Sequence, residues 1–210
     1  MSSPIRSRDR DAVIQSLRAG VVPRAGQHLI QVGRAREVQT LVSDIDRLAD
    51  GGSSFRLVVG EYGAGKTFFL NLVRAIAMER KLVVASADLN PDRRLHASGG
   101  QARSLYAELM RNLATRTKPD GGALPGVVEK FISTAVAESK SQGVSTEQVI
   151  RAKLEQLSEL VNGYDFADVI AAYWRGFEQG SEQLKSDAIR WLRGEFATRT
   201  DARAALGVRT

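Results

Sequence analysis

Apolar positions along this chain follow two different periods. "REVQTLVSDIDRLADGG" places Val38, Leu41, Val42, Ile45 and Leu48 at helical spacing, and Gly51 and Gly52 supply a stop. "FRLVVG" from Phe55 and "LVVASADL" from Leu82 are short unbroken apolar runs, which predict buried strands. Between them "KTFFLNLVRAIAMERK" returns to helical spacing. Strand, helix and strand in that order predict a β–α–β unit with its strands parallel in one sheet. "VVPRAGQHLIQVG", rich in β-branched residues, is expected to be extended, with a third strand at Leu29–Val32.

The flanks are helical in pattern. "RDAVIQSLRAG" predicts a short amphipathic helix on Ala12, Val13 and Leu17, ending at Gly20. Beyond Leu89 no strand is expected. Helices are predicted over "QARSLYAELMRNLATRT", "VVEKFISTAVAESK", "STEQVIRAKLEQLSELVNG", "YDFADVIAAYWRGFEQG" and "SEQLKSDAIRWLRGEFATR". The third opens with a capping box, Ser145 to Gln148, and stops at Gly163. Tyr164, Phe166, Tyr173, Trp174, Phe177, Trp191 and Phe196 are expected mostly to join helices in a core, with the remainder free for an interface.

The break between the first strand and its helix carries chemistry. Gly60, Gly65, Lys66 and Thr67 fit the P-loop (Walker A) pattern G-x-x-x-x-G-K-[ST], in the strand-to-helix context it requires. Gly60, Gly63 and Gly65 let the backbone turn its N–H groups toward an anion, and the following helix adds its positive end. Lys66 places a charge on the β- and γ-phosphates and is the residue expected to stabilise phosphate charge. The Thr67 hydroxyl binds Mg²⁺. The cofactor segment is thus Gly60, Glu61, Tyr62, Gly63, Ala64, Gly65, Lys66, Thr67 and Phe68, with ATP and Mg²⁺ as cofactors.

Charge and composition narrow the classes. Formal net charge over the 210 residues is +6, and residues 1–36 hold seven arginines against Asp9 and Asp11. Such an arm can contact nucleic acid through phosphates, or remain a solvated terminus. There is no cysteine, so thiolate metal sites are excluded, and His28 and His96 are too far apart in sequence to suggest zinc. No apolar run is long enough to span a membrane, and "MSSPIRSRDRD" is too charged for a secretory leader, so a cytoplasmic protein is expected.

"LRAGVVPRAGQHLIQVGR", "VVGEYGAGKTFFL", "ADLNPDRRLHASGGQARSLYAELMRNLATRTKPDGGAL" and "AIRWLRGE" together resemble the BREX-system ATP-binding family, P-loop proteins of the origin-recognition-like branch of AAA+ ATPases. The resemblance covers nearly the whole chain. It implies a bacterial or archaeal ATPase of phage-defence or stress-response systems, in which helicase-like subunits are common neighbours. It also implies an adenine side built from Val22, Val32, Gly33 and Arg34, and a polar loop holding Asp88, Asn90, Asp92, Arg93 and Arg94. A homo-oligomer with ATP between subunits is plausible for such a protein.

A P-loop ATPase needs a second acidic site, an apolar strand ending in Asp, often Asp-Glu. Asp165, Asp168 and Glu195 do not fit; Asp88 is the nearest candidate, but Leu89 follows it. The expectation is therefore an α/β, AAA+-like parallel-sheet core, incomplete in this chain, followed by a large all-helical segment. Its domains would be a basic arm with the adenine-side segment (1–36), the P-loop core (37–98) and the helical segment (99–210). Functionally, an ATP–Mg module of a defence complex acting on nucleic acid, slow to hydrolyse alone, stands beside a nucleotide-gated adaptor without significant hydrolysis and, more distantly, a small-molecule kinase.

Overall fold

The computed structural model describes residues 6–23, 26–96, 99–155 and 163–208, with Asp9, His28 and Tyr164 described in their backbone alone. The chain divides into two compact units, Met1–Val84 and Ala85–Thr210.

In the first unit the helices are α1 (Ser7–Arg18), α2 (Gln27–Ile30), α3 (Ala35–Ala49) and α4 (Lys66–Glu79). The apolar stripe of α3 faces α4, as its spacing demands. Ile45 of α3 and Phe69, Leu72 and Ala77 of α4 are buried. Arg80, just past α4, pairs with Asp46 of α3 and ties the two ends together.

The expected parallel sheet is not there. Among the described residues there is no β-strand, only isolated bridges. The run 53–60 carries no strand pairing, the run 82–89 has only an isolated bridge residue at Val84, and Leu29 and Ile30 lie in α2 rather than in a third strand. Phe55, Leu57 and Val59 alternate along the first run and are 88%, 77% and 83% exposed. The physical reason is that a helix closes its hydrogen bonds within itself, whereas a strand needs a partner in register. Apolar content and β-propensity predict the appetite for pairing, not the partner. Among the side chains that fasten the first run is one that lies between the exposed ones. Arg56 donates from Nε and Nη2 to Asp44 of α3, at 2.6 and 3.1 Å.

The second unit holds α5 (Gln101–Arg111), α6 (Leu124–Gln142), α7 (Thr146–Lys153), α8 (Gly163–Gln179), α9 (Glu182–Leu192) and α10 (Arg199–Leu206). The capping box forms as expected, Ser145 Oγ accepting from the Gln148 N–H and Gln148 Oε1 from the Ser145 N–H. The predicted continuation of α7 over 156–162 lies outside the described residues. Helix α10 was not expected; Thr198 caps it by accepting from the Asp201 N–H at 3.1 Å. One core joins α6 to α10 through Val128, Ile132, Ile150, Val169, Ile189 and Leu206. Helices α8 and α9 pack closely because Gly176 faces Lys185; a methyl there would sit 3.1 Å from the Lys185 nitrogen. Of the predicted aromatics, Tyr173 is buried and Phe166, Trp174, Trp191 and Phe196 pack against the core. Phe177 stays 60% exposed, and the Tyr164 side chain is outside the described residues.

Candidate functional site

The loop from Gly60 to Gly65 joins the first extended run to α4. Gly63 and Gly65 sit at φ +82° and +81°, the left-handed region that costs a glycine little, so the glycines of the pattern are used for backbone shape. Gly60 has ordinary φ, but a methyl there would meet the Ala64 Cβ at 3.2 Å. The loop closes on itself through the Ala64 N–H, which donates to the Glu61 carbonyl at 3.2 Å. The first N–H to close within or onto α4 is that of Phe69, donating to the Gly65 carbonyl at 3.0 Å. The amides of Lys66, Thr67 and Phe68 therefore begin the helix without intrahelical acceptors.

Lys66 turns back over this loop. Its Nζ donates to the Gly60 carbonyl at 2.8 Å and to the Glu61 carbonyl at 2.7 Å. Thr67 is exposed, as are Glu61 and Tyr62 at the loop tip. Two half-satisfying carbonyls hold an ammonium that keeps its third proton free. An anion placed among the helix amides would compete for that ammonium on favourable terms, since a charge-assisted bond is stronger than one to a neutral carbonyl.

Arg34 lies beside the loop. It is the N-cap of α3 and holds φ +53°, unusual for a residue with a side chain. Its guanidinium donates to the Ala64 carbonyl and stands 5.6 Å from the centre of the Phe69 ring. Next to it is a pocket of about 300 Å³ lined by Ile30, Val32, Arg34, Gly65, Phe68 and Leu72, among others. Sequence reasoning placed Val22, Val32, Gly33 and Arg34 together. Val32 and Arg34 do line this pocket; Val22 and Gly33 do not. The pocket is largely apolar on one side and opens on the glycine loop on the other, the make-up of a site for a ligand with a flat apolar part and a charged tail.

The remaining sequence candidates lie in the second unit. Asp88 is exposed, with no ion pair among the described residues. Asn90 Oδ1 accepts from the Asp92 N–H at 3.0 Å, an ordinary turn. Arg93 pairs with Glu108 at 3.3 Å. Asp168 and Glu195, set aside as acidic-site candidates, are paired with Arg151 and Arg111. Asp165 is buried, and burial, then the nearby Asp168 charge, pushes its carboxyl above the usual range. Among the described residues no cluster of three or more His, Asp or Glu could hold a metal ion. No helix among them is long and apolar enough to cross a membrane.

Comparisons with curated proteins and with solved structures returned no match. A family model described as BREX system ATP-binding protein BrxC/D matches residues 5–210. A match of that extent takes in both units and the glycine loop together, and the chain belongs to the BREX system ATP-binding family.

Proposed function

We propose that the Gly60–Thr67 loop is where this chain binds ATP, with Mg²⁺, as the nucleotide module of a phage-defence complex that acts with other protein subunits on nucleic acid. The observation that carries it is the arrangement of Lys66. Its ammonium is poised over a glycine loop whose next three amides open a 14-residue helix. In this reading Lys66 leaves the Gly60 and Glu61 carbonyls for the β- and γ-phosphates, and the Thr67 hydroxyl becomes a ligand of Mg²⁺. The metal would supply charge neutralisation at the same phosphates. Val32 and Arg34 would border the base, and the Arg34–Ala64 contact would hold the loop in shape before the nucleotide arrives.

Binding, not rapid turnover, is the expected activity of this chain by itself. The sequence has no apolar run ending in Asp-Glu to align the attacking water. Titration calorimetry with Mg–ATP tests the site directly. Wild type should bind and Lys66→Ala should bind more weakly, at protein concentrations where both variants show the same melting curve. Equal affinity in the two would remove the reading. Turnover at ordinary ATPase rates, abolished by Lys66→Ala, would overturn the claim of slow hydrolysis while leaving the site in place.

A further inference from the structure

The second unit carries a charged groove that the nucleotide reading does not use. A cavity of about 800 Å³ opens between Asp92 and Arg93, Gly99 and Gly100, α5 and the end of α9, lined by Arg93, Arg103, Arg111 and Arg190 with Asp92, Glu108 and Glu195. A second pocket of about 300 Å³ adjoins it and is lined by Trp191, Phe196 and Arg199. Arg103 and Gly194 belong to both linings, so the two are lobes of one groove. We propose that single-stranded nucleic acid binds along this groove, its phosphates on arginines of both lobes and a base in the smaller lobe beside Trp191 and Phe196.

The choice of cation is the first argument. The groove's linings contain five arginines and no lysine, although the chain has lysines elsewhere in this unit. Arginine presents a planar fork that fits phosphate oxygens and stacks on flat rings, which an ammonium does not. The second argument is how lightly two of these arginines, Arg93 and Arg111, are held. Arg93 reaches Glu108 at a single distance of 3.3 Å, and Arg111 reaches Glu195 at 3.0 Å with its side chain 57% exposed. Each keeps most of its five N–H donors for another acceptor. The third is Arg190, whose guanidinium lies 4.5 Å from the centre of the Phe196 ring. That stack offers an unpaired base a flat cationic face. An acidic peptide would use the charge and leave the aromatic lobe without purpose. Duplex DNA would hide the bases that the lobe is shaped to take.

Arg103 has a different role. It donates from Nε to the Gly194 carbonyl at 2.8 Å and also to the Phe196 carbonyl, fastening the 194–197 segment to α5. It shapes the groove and is not a variant to test. Arg111 and Arg199 are the ones to remove, being exposed and outside the core.

Fluorescence anisotropy with a labelled oligothymidylate about twelve nucleotides long measures binding, with an oligouridylate arm to rank DNA against RNA. Wild type should bind with strong salt sensitivity. Arg111→Ala/Arg199→Ala should bind at least about tenfold more weakly at low salt. The slope of log affinity against log salt should flatten by about 1.4, roughly 0.7 for each phosphate that no longer meets an arginine. Tighter binding of either single strand supports the groove. Equal binding of a duplex, or of a polyglutamate peptide, overturns it. Should the double variant fail to fold, photocrosslinking of a bromodeoxyuridine strand to wild type decides. Adducts on Trp191 or Phe196 support the groove, and adducts confined to the arginines of α1 overturn it.

Discussion

Both units are built on amphipathic helices, yet they bury their apolar residues to very different degrees. In the second unit Ile150, Val169 and Val208 are fully enclosed, and five helices share one core. In the first, the buried apolar side chains are few, among them Val13, Ile45, Phe69 and Leu72, while Val32, Phe55, Leu57, Val59 and Val83 are half exposed or more. A helix needs only a neighbour of matching shape to bury its stripe, and α6 to α10 find such neighbours within 85 residues of each other. The extended runs of the first unit need backbone partners as well, and among the described residues they form no strand, only an isolated bridge at Val84. The candidate nucleotide loop sits on the sparsely packed unit, where local opening is easiest and ligand-binding segments are commonly found.

The largest effect expected from this contrast is in the helical core. Ile150→Ala should destabilise the second unit by about 2–5 kcal/mol, the loss of a buried aliphatic plus the cavity left behind. Trp174 and Trp191, the only tryptophans of the chain, both lie in this unit, so the shift will show in tryptophan fluorescence on denaturant unfolding. A change below about 1 kcal/mol would mean that the core is less tight than its burial indicates.

Next is a binding effect with no stability counterpart. Lys66→Ala should weaken Mg–ATP binding by about 1.5–3 kcal/mol, the worth of hydrogen bonds to a charged group, and leave amide exchange in α3 and α4 unchanged. Smaller again is the cap. Ser145→Ala removes the acceptor for the Gln148 N–H and should cost about 1 kcal/mol, seen as faster amide exchange at the start of α7.

The capping box also shows what could be read in the sequence. Ser145 and Gln148 are three residues apart, and they bond to each other directly. Gly60, Gly65, Lys66 and Thr67 fall within one short segment, and the loop they form was legible for the same reason. The groove of the second unit was not. Arg111 and Glu195 are 84 residues apart and Arg103 and Ala197 are 94 apart. No local spacing announces such pairs. The extended runs failed in a third way. Their composition favours strands, but a strand is a relation between two segments, and one segment's residues do not contain it.

Acid should separate the units. In the first, hydrogen bonds from Arg56 hold the Asp44 carboxyl below its usual range even though its side chain is 6% exposed. A carboxyl with a lowered folded pKa stabilises the fold fully above its unfolded value, about 3.9, and that contribution is lost as pH falls through the folded value. Asp165 has the opposite sign. Its raised pKa costs the second unit stability above about pH 4, and protonation relieves it. Between pH 5 and pH 3, amide protection taken relative to the intrinsic exchange rate at each pH should therefore fall in α3 and not in α8. Arg56→Met should already loosen α3 at neutral pH and leave little further change on acidification.

The smallest effect is the sharpest test of the contrast. Leu57 is apolar and central in a run whose composition promises burial, yet it is 77% exposed. Leu57→Ser should change stability by less than about 0.5 kcal/mol, as for other surface substitutions. The measurement is amide exchange in α3 and α4, since the first unit has no tryptophan to report on it. Arg56 is the internal control. It occupies the adjacent position in the same run and is fastened to Asp44, so its substitution by Met should be felt where that of Leu57 is not. If Leu57→Ser instead costs about 1 kcal/mol or more, the side chain is covered in solution, and the two units differ less in their burial than in where each finds its covering surface.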